Sequence, residues 1–255
     1  IRDSSTSRGL GDVYKRQAKG IVFACSMYNI QHTVTPVNGK LQVKLECERP
    51  DVEIRYTMDG KEPTDRSPLY KSPLMVTGTQ TIKCTTYRAG RQMGKTLTLP
   101  LVWNKATAKP VLGNTQAGKI LVNGIRGSLR QSDFEWHSWE SSDSVAFTID
   151  LQKKESLRSV SVGCITNYGM AAHKPADIEV WVSNDNRDYR KVSGKQFTDG
   201  EIFREGTFKE DVVLDLNKEI GRYVRIIAKG AGECPATHVR PGQEARIYFD
   251  EVMIE

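Results

Sequence analysis

The sequence predicts an all-β protein built as two β-sandwiches in tandem. Three observations carry that prediction. Nearly every periodic apolar segment alternates with period two, turn dipeptides punctuate these segments at short intervals, and no segment of ten or more residues has a convincing helical pattern. Short alternating strands separated by frequent turns need a second sheet to cover their apolar face, which is the pattern of a sandwich.

Residues 1–17 (IRDSSTSRGLGDVYKRQ) stand apart from the rest. They are polar and aperiodic, with Tyr14 as their one aromatic. They resemble a translated adapter read-through, a natural disordered terminus being the alternative. Either way they form a non-native or disordered leader outside the fold. On the first reading the protein extends upstream and the chain is a fragment. The apolar run Ile21–Ser26 is too short for the ~7–15-residue apolar stretch of a signal that would end in a lipidated Cys25, so a short buried strand is expected there.

The first sandwich is expected over residues 18–105. Leu41-Val43-Leu45-Cys47, Val52-Ile54-Tyr56, Ile82-Cys84 and Leu97-Leu99-Leu101 alternate. Between them lie the turn signals Asn38-Gly39, Asp59-Gly60, Ser67-Pro68, Ser72-Pro73 and Ala89-Gly90. The length suits a small immunoglobulin-like domain. Cys47 and Cys84 should point into one core, as free buried thiols or joined in a disulfide; the five cysteines show no CxxC pair and no metal-ligand spacing.

A small, polar, proline-terminated stretch, Asn104–Pro110, then reads as a linker. The second sandwich, 106–255, continues with Val145-Phe147-Ile149-Leu151, Val160-Val162-Cys164, Ile178-Val180-Val182, Val212-Leu214-Leu216, Val224-Ile226 and Ala245-Ile247-Phe249. Long polar loops (123–143, 167–176, 230–244) separate these strands, as in a jelly roll with elaborate loops at one end. Trp181, inside Ile178–Ser183, is expected in the core.

Composition narrows the function classes. The formal charge of +6 is spread without a block of five like charges, so no nucleic-acid footprint is expected. No run approaches the ~20 apolar residues of a membrane span. There is no GxSxG, HExxH, P-loop or GxGxxG signature. The four histidines (His32, His137, His173 and His238) are dispersed, and no metal cluster is expected among them. Asp250-Glu251 is an adjacent carboxylate pair, but neighbours on a strand point to opposite faces, so a hydrolase pair is not expected.

Sugar recognition needs an aromatic face for the apolar side of a pyranose and planar polar groups for its hydroxyls. Three loops of the second domain offer them: Phe134–Glu140 with Trp136 and Trp139, Asn167–Lys174 with Asn167, Tyr168 and His173, and Cys234–Arg240 with His238 and Arg240. The candidate carbohydrate-binding residues are Trp139, Asn167, Tyr168, His173, His238 and Arg240. One of Trp136 and Trp139 is expected to plug the core instead.

Two patterns are specific enough to resemble known families. Ile54-Arg55-Tyr56-Thr57-Met58-Asp59-Gly60-Lys61-Glu62-Pro63-Thr64, continued by Ser67-Pro68-Leu69-Tyr70, resembles the chitobiase/β-hexosaminidase C-terminal domain. In it a strand ends in a tight Asp-Gly turn, Pro63 stiffens the return, and Thr64 and Ser67 satisfy backbone groups. The second domain resembles the coagulation factor 5/8 type C, or discoidin-like, fold, kin to family-32 carbohydrate-binding modules. The residues behind that resemblance are Val122–Ser128, Ile178–Asp185, Arg222–Ile226, and Cys234-Pro235 through Val252. The order of the two, with its Gly-x-Cys-Pro-x-x-His element, is similar to the tails of bacterial family 20 β-N-acetylhexosaminidases, in which a catalytic barrel precedes both modules.

The resemblance implies an immunoglobulin-like β-sandwich followed by a discoidin-like jelly-roll β-sandwich, in a secreted or periplasmic bacterial protein. Its role would be accessory and non-catalytic: a spacer plus a domain facing a glycan that contains N-acetylhexosamine or galactose, partnered by an upstream catalytic barrel. An adhesion or protein-interaction module and a purely structural tail are the alternatives. No cofactor is required. The resemblance also implies a candidate structural calcium held by Asn123, Ile125, Ser128 and Glu251; the alternative is a metal-free turn with Arg126 paired to Glu251.

Overall fold

The computed structural model describes residues 25–113, 116–139 and 144–255. The expected leader and Ile21–Ala24 lie outside the described residues. Cys25–Tyr28, at the end of the expected first strand, forms a 3₁₀ turn instead. The chain is nearly all β, with antiparallel sheets throughout, as expected of β-sandwich domains. Among the described residues, the one α-helix, α1 (Asp199–Ile202), is four residues long, and no helix is long and apolar enough to cross a membrane. The chain divides into two compact units. Of the described residues, one takes those up to His32 with Leu45–Ser72 and Thr81–Thr98; the other takes Thr33–Lys44, Pro73–Gln80 and those from Leu99 to Glu255.

The N-terminal strands form two sheets. One orders β1 (Ile30–Val37), β2 (Lys40–Cys47) and β4 (Leu74–Val76). The other pairs β3 (Glu53–Thr57) with β5 (Gln80–Arg88), which also pairs with β6 (Arg91–Gln92) and β7 (Leu97–Leu101). The Asp-Gly motif folds as its chemistry predicts. Gly60 takes a left-handed φ of +77°, which a residue with Cβ rarely adopts, and the Lys61 amide donates to the Asp59 carboxylate at 3.1 Å. The Thr64 amide donates to Ser67 Oγ at 2.9 Å and the Arg66 amide to Thr64 Oγ1 at 3.3 Å. Tyr70 and Tyr87 tie the return down, the Tyr70 hydroxyl accepting from the Leu45 amide at 3.1 Å and the Tyr87 hydroxyl donating to the Pro63 carbonyl at 2.9 Å. Cys47 and Cys84 are free thiols. Cys84 is buried, which pushes its thiol up to about 12, whereas Cys47, at the end of β2, is only half-buried and donates to the Met27 carbonyl at 3.4 Å.

The C-terminal strands make a seven-stranded sheet in the order β12 (Arg190–Gln196), β11 (Asp177–Ser183), β13 (Thr207–Lys229), β10 (Val145–Asn167), β14 (Ile247–Ile254) and β9 (His137–Trp139). The short β8 (Val111–Leu112) also pairs with β10. β10 and β13 are each 23 residues long and pair along nearly their whole length. Register shifts between Asp150 and Glu155 and between Leu157 and Ser159 mark a corner, where Gln152, Asn217 and Lys218 all have positive φ. Such breaks bend a ladder. The two stretches of each strand on either side of it supply Phe147, Ile149, Leu157, Val160, Val212, Leu214, Val224 and Ile226 to one buried cluster.

Trp181 is not in that core. The alternation that buries Ile178, Val180 and Val182 turns Trp181 to the opposite face, where it is half-exposed and its indole N–H donates to Glu179 at 2.8 Å. Asp250 and Glu251 also depart from the simple strand picture. Between the pairs Val162↔Val252 and Cys164↔Phe249, β14 carries one residue more than β10. That bulge brings both carboxyl groups into the interior, against one loop, residues 123–128. Gly163 is required opposite it, since a Cβ there would lie 1.9 Å from Asp250 Oδ1.

Candidate functional site

Three loops of the second sandwich converge at one end. The first follows β10. Asn167 and Ala172 exchange backbone hydrogen bonds of 2.8 and 3.2 Å around a tight turn, which Ala171 closes in the left-handed region at φ +53°. The second contains α1, capped by Thr198 and Glu201, and ends at Phe203. The third, between β13 and β14, folds back on itself through Cys234 N–H to Gln243 O (2.8 Å) and Gly242 N–H to Cys234 O (2.9 Å). The His173 amide joins the first loop to the third by donating to the Arg246 carbonyl at 3.0 Å.

At the centre, His173 and His238, 65 residues apart in sequence, meet with Nε2 atoms 3.2 Å apart. Their other nitrogens fix the protons. His173 Nδ1 lies 3.0 Å from the Ile202 carbonyl, which can only accept, so His173 carries its proton on Nδ1. His238 Nδ1 accepts the Arg240 backbone N–H at 3.0 Å, so His238 carries its proton on Nε2 and donates it to His173. Both rings are buried, 1% and 4% exposed, and every ring nitrogen is satisfied. Burial, which penalises the charged form, pushes the His173 imidazole down to about 4 and lowers that of His238.

Around this pair stand Phe203, whose ring centroid is 5.0 Å from that of His173, and Tyr168, 3.9 Å from His238. Tyr168 is half-buried, so one part of its ring rests on the histidines and the rest faces out. Arg240 closes the rim: Nε donates to the Gly169 carbonyl at 2.6 Å, Nη1 to Gln243 Oε1 at 3.2 Å, and Nη2 contacts Met170 Sδ at 3.6 Å. Met170 and Val239 are exposed beside it, at 47% and 65%.

The structure therefore brings together Asn167, Tyr168, His173, His238 and Arg240. It does not bring Trp139 to them. That indole is half-buried against the core, 5.3 Å from the Phe249 ring and 6.2 Å from Phe147. Trp136, 6% exposed, plugs the interior with Ile165, Ala172 and Tyr248, and its N–H donates to the Ser128 carbonyl at 3.0 Å. The expectation that the histidines form no cluster is corrected: ligand atoms of His173, His238 and Cys234 lie within 4.8 Å of one another. Sequence reasoning missed Phe203 and the carbonyl of Ile202, which come from a segment with no motif. The Cys-x-x-x-His spacing at 234–238 joins only two members of the cluster, and no local spacing points to His173.

The candidate calcium residues do not fit a cation. Asn123 Oδ1 accepts the Ile125 amide at 2.9 Å, Ser128 Oγ accepts the Arg130 amide at 3.1 Å, and Glu251 Oε2 accepts the Gly124 amide at 3.0 Å. Donor N–H groups thus point where a metal would need bare oxygens. Glu251 is the set's one carboxyl, and burial pushes it well above the usual carboxylate range. Its Oε1 is buried with no well-formed hydrogen bond, and the nearby Asn104 side-chain amide only partly offsets the effect of burial. Arg126 does not pair with Glu251. Its Nε donates to Asp250 at 2.9 Å and its Nη atoms to Asp211.

Among solved structures, a CBM32 module produced by Clostridium perfringens is 16% identical over 47% of this chain and 75% of its own, with a TM-score of 0.31. The C-terminal domain of a chitobiase from Bacteroides fragilis is 12% identical over 51% and 76%, with a TM-score of 0.32. A second Clostridium perfringens CBM32 module, solved in complex with GalNAc-beta-1,3-galactose, is 17% identical over 43% and 63%, with a TM-score of 0.29. No curated protein matches the chain. Residues 35–98 match the family model of the chitobiase/beta-hexosaminidase C-terminal domain. Residues 105–240 match that of the F5/8 type C domain, and since this is more than half of the 255 residues, the chain belongs to the F5/8 type C domain family.

Proposed function

We propose that this chain is a non-catalytic accessory region of a bacterial β-N-acetylhexosaminidase, secreted or periplasmic, whose second sandwich binds a glycan containing N-acetylhexosamine or galactose through its loop face. The observation that carries the reading is the Tyr168 ring, laid at 3.9 Å on the buried His238 and flanked by the anchored Arg240 guanidinium. A rigid, partly exposed aromatic plate suits the C–H face of a pyranose, because stacking there costs little side-chain entropy. A guanidinium has five N–H donors, and three contacts hold Arg240, leaving two to meet hydroxyl oxygens. Asn167, at the start of the same turn, adds an amide. The tandem order of the two family matches supports the hexosaminidase context.

Calorimetric titration of the whole chain with GlcNAc, GalNAc, galactose and chito-oligosaccharides tests this. Saturable heat with at least one of them is expected. Tyr168→Ala and Arg240→Ala should each weaken binding by about tenfold, the worth of roughly 1.4 kcal/mol, with little change in Tm. No heat at millimolar sugar would leave a structural tail. The exposed Met170 and Val239 favour a second reading, adhesion to a protein or lipid surface, and that reading gains if their replacement by Ser abolishes capture while sugars have no effect.

A further inference from the structure

We propose that His173, Cys234 and His238 form a binding site for a divalent ion that favours imidazole and thiolate ligands, zinc being the best match. Their ligand atoms lie within 4.8 Å of one another, and the three residues are only 1%, 3% and 4% exposed. One edge of the site is already built. Tetrahedral zinc with Zn–N bonds of about 2.0–2.1 Å sets two ligating nitrogens about 3.3 Å apart, and the two Nε2 atoms are 3.2 Å apart. His173 is oriented as zinc-bound histidines commonly are, its Nδ1–H on a backbone carbonyl and its Nε2 lone pair facing the other ligands. Two imidazoles and a thiol are a soft donor set, suited to zinc over calcium or magnesium. Three protein ligands leave a fourth position for water.

Loading rearranges two protons. Cys234 gives its thiol proton to solvent and binds as thiolate. In His238 the Nε2 proton moves to Nδ1, which frees the Nε2 lone pair for the ion and gives up the hydrogen bond accepted from the Arg240 amide. The new Nδ1–H and the Arg240 amide are then two donors facing each other beside exposed Val239, so loading requires a water drawn in at the rim to accept from both. Two neutral hydrogen bonds, His238 to His173 and the Arg240 amide to His238, are thereby exchanged for three metal–ligand bonds. The ion would staple the first loop to the third beneath Tyr168.

The test uses the whole chain, stripped with chelator and dialysed, then titrated with zinc by calorimetry and with cobalt(II) by absorbance. One ion per chain is expected, with one proton released per ion and a thiolate-to-cobalt charge-transfer band in the near ultraviolet. Cys234→Ser should remove that band and weaken zinc by about tenfold or more, and His238→Gln should weaken it similarly. Cys47→Ser, which removes the half-exposed thiol of the other unit, should change nothing. Absence of saturable binding, or a charge-transfer band that survives Cys234→Ser, overturns the proposal. Should the variants fail to fold, alkylation of the wild-type chain under mild denaturant decides. Zinc must protect Cys234 selectively, and labelling of Cys234 that is equal with and without zinc overturns the site.

Discussion

The histidine pair shows how a residue's chemistry can be legible in type and hidden in role. His173 and His238 were readable from the sequence as candidate sugar-binding groups in loops rich in hydrogen-bonding residues. The sequence could not show that the loops close over them, because that closure depends on backbone bonds such as His173 N–H to Arg246 O. Their burial has a pH consequence in the metal-free chain. The unfolded imidazole has a pKa of about 6.5 and the folded His173 about 4, so below pH 6.5 the unfolded state binds more protons and stability falls with falling pH. His238 shifts in the same direction. Between pH 7 and pH 5 the His173 shift alone amounts to about 2 kcal/mol. Urea denaturation with chelator present should show that loss, and His173→Gln, less stable at pH 7, should flatten it. A His173→Gln variant with the wild-type pH slope would place the titration elsewhere. Trp181 teaches the complementary lesson. A large aromatic inside an apolar strand reads as core by residue type, yet strand parity decides, and the odd position faces out.

At the scale of elements, alternation located the apolar segments of β2, β3, β11 and β14 but not the length of the long strands. The sequence shows Val145–Leu151 and Val160–Cys164 as separate segments because Gln152–Glu155 is polar; the structure runs β10 through them, bending at the corner. The bulge in β14 was equally invisible, since an extra residue shows only once the partner strand is known. It lets loop 123–128 be fastened by a buried charge: Asp250, fully buried, accepts both Arg126 Nε and the Gly127 amide at 2.9 Å. Desolvation raises the Asp250 carboxyl and Arg126 pulls it back. Removing the arginine leaves a buried carboxylate held only by the backbone amides of Gly127 and Glu251, with no countercharge on it, so Arg126→Ala should cost about 3 kcal/mol or more in chemical denaturation. Adding Asp250→Asn to that variant should recover part of the loss, because the uncompensated charge goes with it. The same geometry predicts that millimolar calcium leaves the wild-type Tm unchanged, given that the loop's oxygens already accept N–H donors. A rise of several degrees would mean that the loop opens to bind the ion.

At the scale of the whole molecule, the two tandem motifs were the most legible feature, because each rests on local chemistry that sequence displays directly. The Asp59-Gly60 turn with Thr64 and Ser67 is one case, and the Gly-x-Cys-Pro-x-x-His element is the other. The net charge of +6 offers a competing account of any binding, since a basic chain attracts polyanions without a site. The two accounts differ in salt dependence. Stacking on Tyr168 and hydrogen bonds from Arg240 to neutral hydroxyls release no counterions, whereas charge-driven association weakens steeply as the Debye length shrinks. Affinity for a neutral chito-oligosaccharide should therefore change less than about twofold between about 0.05 M and about 0.5 M salt. Binding to heparin, if present, should collapse over that range and be indifferent to Tyr168→Ala. Sugar affinity that falls steeply with salt would assign the interaction to the scattered surface charge and not to the loop face.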